Sequence, residues 1–483
     1  MSKLSRRELL QSAASAPALA QAAGGPLNLI HIGVDTWGTH HLGAYGHEFY
    51  KTPHADSLIA KSARFLDAYP QALPTIPARR AIYTGRQVFP SLLVAQPDDQ
   101  VRIRGWHQMY VEDVTLSETL QAAGYTTAIV SDLYHQFKPG KNFTRGFDSW
   151  QWIRGQEADR LRTGNRAKID LAAHMHRSQP SQKTKKAAGV FQYLLNRQDW
   201  KTEDDWLAAQ VFDTAERWLK ENAGENRPFY LHIESFSPHE FWDPPESFYR
   251  MYMKKDYNGP RLIHPPPITK NMTALEVEHA VAMYAGLVSF TDARIGRLLQ
   301  AVERLGLMDD TVIVFMADHG TMMGEQGQLH KGETRLRAQC TNVPLAIRHP
   351  RENWAGRKIG GYVSHVDLAP TMLDVLGVKA PARMTGESLR PLIAGNAAST
   401  RGEAITGWGE HASIRTPEWN YIGRWSPGKP AFEELYDLKA DPLELSNAAA
   451  ANPAVCERFR KRLATYVEEG WAVTKGNFHA MLS

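Results

Sequence analysis

Four short polar segments in this 483-residue chain each follow an apolar run, and their residue types suit chemistry on an anion. Asp35 closes the apolar run 27–34, and Asp318-His319-Gly320 closes the run 312–316. A carboxylate next to an imidazole at a strand end is a natural ligand pair for a divalent cation, and Gly320 lets the backbone turn sharply afterwards. Thr75 heads the segment Thr75-Ile76-Pro77-Ala78-Arg79. Prolines keep the chain extended up to Pro77, which sits well in the first turn of a helix. The Thr75 hydroxyl would then lie near helix N-terminal amides, which favour anionic groups, and Arg79 can return to the same anion as a bidentate donor. Pro238-His239-Glu240 follows the run 229–233, and His330-Lys331 adds two cations in a Gly-rich loop. Taken singly, each has a plain structural explanation. Asp and Thr cap helices, and any one of 19 histidines is more often packed than catalytic. Four such sites at the ends of successive strands are harder to dismiss.

The elements that must position them alternate in type. Strands are expected at 27–34, 126–130, 229–233 and 311–316, with helices at 55–63, 116–123, 205–222 and 274–305. That alternation predicts an α/β fold with a large, mostly parallel sheet sandwiched by helices, whose strands deliver polar residues at their C-terminal ends. From about residue 401 the pattern changes. Two short strands around a turn (413–425), a third (433–438) and a closing helix (453–468) predict a small α+β subdomain over 401–483 after a catalytic domain over 25–400.

Composition excludes several classes. A hydrophobic fraction of 43% with 22% charged residues is that of a globular chain, and no apolar run reaches the ~18 residues of a membrane span. Residues 1–24 read as a signal peptide: Arg6-Arg7, an alanine-rich apolar stretch, then Ala18-Leu19-Ala20 and Ala20-Gln21-Ala22 as cleavage sites. The paired arginines point to twin-arginine export and a periplasmic or extracellular location. Without this segment the formal charge of +4 falls to near neutral, which gives no reason to expect a nucleic-acid partner. Cys340 and Cys456 are read as free, buried thiols rather than a disulfide framework. Residues 151–186 carry nine Lys/Arg against three acids, a solvated loop or a rim that attracts anions.

The chain resembles the sulfatase family of the alkaline phosphatase superfamily over residues 27–447. The signature Cys (or Ser)-x-Pro-Ser-Arg with downstream Thr-Gly-Arg stands here as Thr75-x-Pro77-Ala78-Arg79 and Thr84-Gly85-Arg86. Val34-Asp35-Thr36 with Gly43-Ala44-Tyr45-Gly46, Phe236-Ser237-Pro238-His239, and Asp318-His319-Gly320 with Gly324-Glu325 and Lys331 follow in family order. Val366-Asp367-Leu368-Ala369-Pro370-Thr371 and Leu435-Tyr436-Asp437-Leu438 with Asp441-Pro442 and Glu444 match its C-terminal marks. The resemblance implies an alkaline phosphatase-like fold and hydrolysis of a small anionic ester. It also implies one divalent metal ion held by Asp35, Asp318, His319 and the Thr75 hydroxyl.

Departures from the family pattern carry equal weight. Thr75 stands where a Cys or Ser is converted to formylglycine, so no formylglycine is expected. Thr36 replaces a second Asp and His319 an Asn, as in the phosphonate monoester hydrolase and phosphodiesterase branch. An imidazole ligand favours Zn²⁺ or Mn²⁺, with Ca²⁺ remaining open. In the implied mechanism Thr75 attacks phosphorus or sulfur and forms a covalent intermediate. Arg79, Lys331 and His239 clamp the non-bridging oxygens, His330 protonates the leaving group, and His135 is a further candidate. Two other readings stay open: a phosphotransferase or mutase of the same superfamily, and a sulfatase-like binding protein that has lost activity. Oligomeric state is not legible.

Overall fold

The computed structural model describes residues 25–91, 103–165, 168–179, 185–397, 401–425 and 432–475. The expected signal peptide lies outside the described residues, as do Arg166, Lys183 and the side chains of Lys185 and Lys186 from the basic stretch. In chain order the first strands are β1 (Asn28–Val34), β2 (Ala63–Phe65), β3 (Ala68–Tyr69), β4 (Ala72–Leu73), β5 (Thr126–Ser131) and β6 (Ser149–Trp152). Then come β7 (Phe229–Ser235), β8 (Thr311–Ala317), β9 (Met322–Met323), β10 (Leu329–His330), β11 (Leu345–Arg348), β12 (Lys358–Ile359) and β13 (Val363–Ser364). β14 (Ala404–Trp408), β15 (His411–Arg415), β16 (Trp419–Arg424) and β17 (Glu433–Asp437) complete the set.

Eight strands form the main sheet in the order β12-β2-β11-β8-β1-β7-β5-β6. β8, β1, β7, β5 and β6 run parallel; β11 is antiparallel to both β8 and β2. The central strands are buried along their whole length, as their unbroken apolar runs require of a sheet flanked by helices. Among the flanking helices, Ala274–Arg304 opens on a capping box between Thr273 and Glu276 and packs against Leu207–Asn222 and Pro53–Ala60.

A second, five-stranded sheet runs β17-β16-β15-β14-β4. β14 was not foreseen, and β4, only two residues long, comes from the segment just before Thr75 and pairs with it. The helix Pro453–Lys475 closes this sheet through Cys456, Phe459 and Leu463. Both cysteines are free and buried. Among the described residues no helix is long and apolar enough to cross a membrane.

Candidate active site

Register brings the site together. β1 pairs with β7 and β8 so that Val34 lies opposite both Ser235 and Ala317. The next residues on β1 and β8 are Asp35 and Asp318, side by side on strands ~4.8 Å apart. Thr36 fixes their orientation. Its amide donates to Asp318 Oδ1 (3.1 Å), its hydroxyl donates to Asp35 Oδ1 (2.6 Å), and its carbonyl accepts from the Tyr284 hydroxyl (2.8 Å). Thr36 does this at φ 64°, a left-handed conformation costly for a β-branched residue. Gly320 is needed for close approach rather than for a turn at positive φ. A Cβ there would lie 2.1 Å from the Gln339 carbonyl oxygen and 2.9 Å from Gly38 Cα.

Asp35, Asp318 and His319 are buried and offer ligand atoms within 4.8 Å of one another. The His319 Nδ1–H donates to the Gly320 carbonyl (3.0 Å), so Nε2 carries the lone pair. That Nε2 is buried without a hydrogen-bond partner and faces Asp318 Oδ2 (3.5 Å) and Asp35 Oδ1 (3.8 Å). Burial holds the His319 pKa down at about 3, so the ring is neutral and ready to ligate. Burial, then the Asp318 charge, raises the Asp35 pKa against the pull of Arg79, His239 and His319. Two carboxylates and an unpartnered imidazole nitrogen fit one divalent cation. Among the described residues it is the one such three-ligand group.

Thr75 begins the helix Thr75–Thr84, after Pro74, and is buried. Arg79, one turn on, is 1% exposed and has every guanidinium nitrogen engaged. Nε donates to Glu234, Nη1 to Asp318 and to the Thr75 carbonyl (3.2 Å), and Nη2 lies 2.9 Å from Asp35 Oδ2. Arg79 is thus drawn into the carboxylates rather than turned outward as a free clamp. Glu234, at the end of β7, carried no signal in the sequence because it sits inside an apolar strand; its position in register with Gly33, two residues before Asp35, would have been needed to find it.

A second cluster faces Asp35. Glu240 is buried and accepts from Lys331 Nζ (2.6 Å) and His330 Nδ1 (2.6 Å), with His239 Nδ1 3.1 Å away. Burial would raise the Glu240 pKa, but Lys331, His239 and His330 hold it well below the usual range. Burial lowers and Glu240 with Asp35 raises the Lys331 pKa, and the net effect is upward. His330 Nε2 meets the Pro265 carbonyl (2.8 Å), and the ring stacks on Trp242. Both ring nitrogens are taken up by acceptors, so none is left to face a leaving group, and burial outweighs Glu240 and the Pro265 carbonyl to lower the His330 pKa. His239 Nδ1 meets the Glu240 carbonyl, and among the described residues its Nε2 has no partner. His135 bonds Glu157 through Nε2 (3.1 Å), and its Nδ1 is buried without a partner. Glu157, a second carboxylate the sequence did not single out, feels His239 and Lys331 as well as His135. The residues singled out from the sequence as catalytic or metal-binding candidates therefore gather at one end of the sheet. Glu234 neutralises Arg79 and Glu240 neutralises Lys331, while Glu157 bonds His135, whose pKa burial lowers.

The C-terminal marks are scaffold. The buried Glu444 carboxylate accepts from the Ala338 amide (2.8 Å), Arg415 (3.0 Å) and Asn420, tying the second sheet to the chain after Lys331. Asp367 accepts from the Ser364 and Glu387 amides and pairs with Arg401.

The family model described as Sulfatase matches residues 27–378, well over half of the chain, and one described as N-sulphoglucosamine sulphohydrolase, C-terminal, matches residues 324–469. Arylsulfatase K of Bos taurus is 27% identical over 470 residues, covering 87% of this chain and 78% of its own. The N-acetylglucosamine-6-O-sulfatase of Bacteroides thetaiotaomicron is 26% identical over 500 residues, covering 87% of this chain and 82% of its own. Among solved structures, the phosphonate monoester hydrolase of Agrobacterium radiobacter superposes with a TM-score of 0.71 at 22% identity, over 92% of this chain and 96% of that one.

Proposed function

Because this chain belongs to the sulfatase family and is an ester hydrolase of that family, we propose that it cleaves a small anionic ester by attack of the Thr75 hydroxyl, with one divalent cation held by Asp35, Asp318 and His319. The observation that carries this reading is the unpartnered His319 Nε2, buried between two carboxylates one guanidinium away from Thr75. Charge counting agrees. Asp35, Asp318 and Glu234 bring three negative charges against the single positive charge of Arg79, a deficit that one divalent ion balances. When bound, such a cation supplies Lewis-acid stabilisation of the oxygen that attacks and of the charge that develops.

The chain's own groups then divide the work. Thr75 Oγ passes its proton to water and forms a bond to phosphorus or sulfur as the bond to the leaving oxygen breaks. Lys331, which keeps donors beyond the one spent on Glu240, meets the non-bridging oxygens. His239, entering as the imidazolium with Nδ1–H held at the Glu240 carbonyl, gives its Nε2 proton to the leaving alkoxide and is left neutral; it is better disposed for this than His330. His135 and Glu157 form the outer wall. Water must finally cleave the threonine ester at phosphorus or sulfur, since Thr75 has no hemiacetal route of the formylglycine kind. That favours a phosphate diester or phosphonate monoester, in line with the phosphonate monoester hydrolase likeness, while the arylsulfatase and N-acetylglucosamine-6-O-sulfatase likenesses favour a sulfate ester. Export from the cytoplasm by residues 1–24 is part of the same proposal.

The deciding experiment is turnover on aryl phosphodiester, phosphonate and sulfate esters with Zn²⁺, Mn²⁺ and Ca²⁺, comparing wild type with Thr75→Ala. Activity that survives Thr75→Ala, or no turnover on any ester with any metal, sinks the mechanism. A phosphotransferase would instead pass the group to an added alcohol.

A further inference from the structure

We propose that the groove between residues 158–164 and the helix Lys185–Asn196 receives the leaving-group half of the substrate, and that this half is an apolar ring or chain bearing a second anionic group. The inference rests on the ester-hydrolase reading above. The groove encloses about 580 Å³ and is walled by Ala158, Arg160, Gly164, Ala188, Phe191 and Leu195. Two chain neighbours link its inner end to the anion cluster. Ala158 follows Glu157 in the chain, and a Cβ on Gly189, which also lines the groove, would touch Phe241 Cζ at 3.4 Å, Phe241 being the residue after Glu240.

This wall is built, not loose. Asn196 Nδ2 donates to the carbonyls of Gly155 (2.9 Å) and Asp159 (2.7 Å), and its Oδ1 accepts from the Arg162 amide (3.3 Å). Gln192 Nε2 donates to the Arg162 carbonyl (2.9 Å). Phe191 and Leu195 supply a buried apolar floor, and Ala188 and Gly189 leave the space above it open. The charge on the rim is one-sided. Asp159 is spent on Arg154 and the Gly155 amide, and Arg162 pairs with the exposed Asp199. Arg160 is exposed and has no ion pair, hydrogen bond or ring contact among the described residues. An apolar floor that lies behind Phe241, the residue after Glu240, and ends at an unpaired guanidinium is complementary to an amphiphilic anion. A polyhydroxylated sugar would leave that floor unmatched.

The test uses methyl phosphodiesters of phenol, 2-naphthol and 6-sulfo-2-naphthol, with Arg160→Glu and Ala188→Trp compared with the wild-type chain. Variant-to-wild-type ratios cancel leaving-group acidity. Reversing an exposed charge should lower kcat/KM for the sulfonated ester about fivefold, through KM, and leave the phenyl ester within about twofold. Filling the groove with Ala188→Trp should lower kcat/KM for both naphthyl esters and spare the phenyl ester. Direct fluorescence titration with 6-sulfo-2-naphthol reads the groove without turnover, and both variants should weaken that binding. Equal binding by all three proteins, or equal losses across the three esters, overturns the proposal. Normal sulfonaphthol binding with no turnover of any ester would overturn the ester-hydrolase mechanism and leave the groove standing.

Discussion

Glu234 offers the sharpest quantitative test of the buried network. Burial pushes its carboxyl pKa up, but the Arg79 charge and then His232 bring it down from an ordinary 4.5 to about 2. Because the folded value lies below the unfolded one, the unfolded chain binds more protons between these values. The contribution to stability is therefore fully present above the unfolded pKa and drains away as pH falls towards 2. Holding the carboxyl at about 2 rather than 4.5 corresponds to about 3 kcal/mol at pH 6, of which about 1 kcal/mol remains at pH 3. Glu234→Gln keeps the shape of the side chain and an oxygen for Arg79 Nε but removes the titration. The assay is urea unfolding of wild type and Glu234→Gln at pH 3, 4, 5 and 6. Other carboxylates titrate in both proteins and drop out of the difference. Wild type should be the more stable at pH 6, and the gap should close by about 2 kcal/mol on going to pH 3. A gap that is constant with pH would show that Arg79 does not hold Glu234 ionised, and the charge count behind the metal site would fall with it.

Thr75→Ala should lower kcat by about 10³-fold or more with an unchanged melting temperature, whereas Thr75→Ser should retain turnover, as steady-state kinetics will read. His319→Ala should abolish stoichiometric Zn²⁺ or Mn²⁺ binding in calorimetry, because it removes the one neutral ligand; retained binding would mean the metal sits elsewhere. Lys331→Ala should raise KM about tenfold, ~1.4 kcal/mol, for every anionic ester, with a smaller effect on kcat. Glu444→Gln should cost about 2 kcal/mol in unfolding measurements through loss of the Arg415, Asn420 and Ala338 contacts, while kcat per folded molecule stays near wild type.

The sequence alone determined which strands would end in the candidate site residues and what the family would be. Unbroken apolar runs must be buried on both faces, and that made the central strands and the residues at their ends legible: Asp35 after β1, Asp318 and His319 after β8, and His239 beyond β7. Thr75 was legible because prolines and a following helix leave a distinctive local pattern. Tertiary structure alone decided which carboxylate pairs with which partner. Glu234 lies within an apolar strand and Glu157 in a loop far from any motif, while Glu240 stood beside His239 without a role of its own. Their partners are 155, 22 and 91 positions away, for Arg79, His135 and Lys331 respectively. Pairing across such separations depends on strand register and loop placement, which local pattern does not encode. The same holds for β4, whose two residues before Thr75 join the second sheet through β14 and so fasten the helix that Thr75 begins to the C-terminal strands. The candidate ligands were written in the strand ends; the balance of charge around them came from the fold.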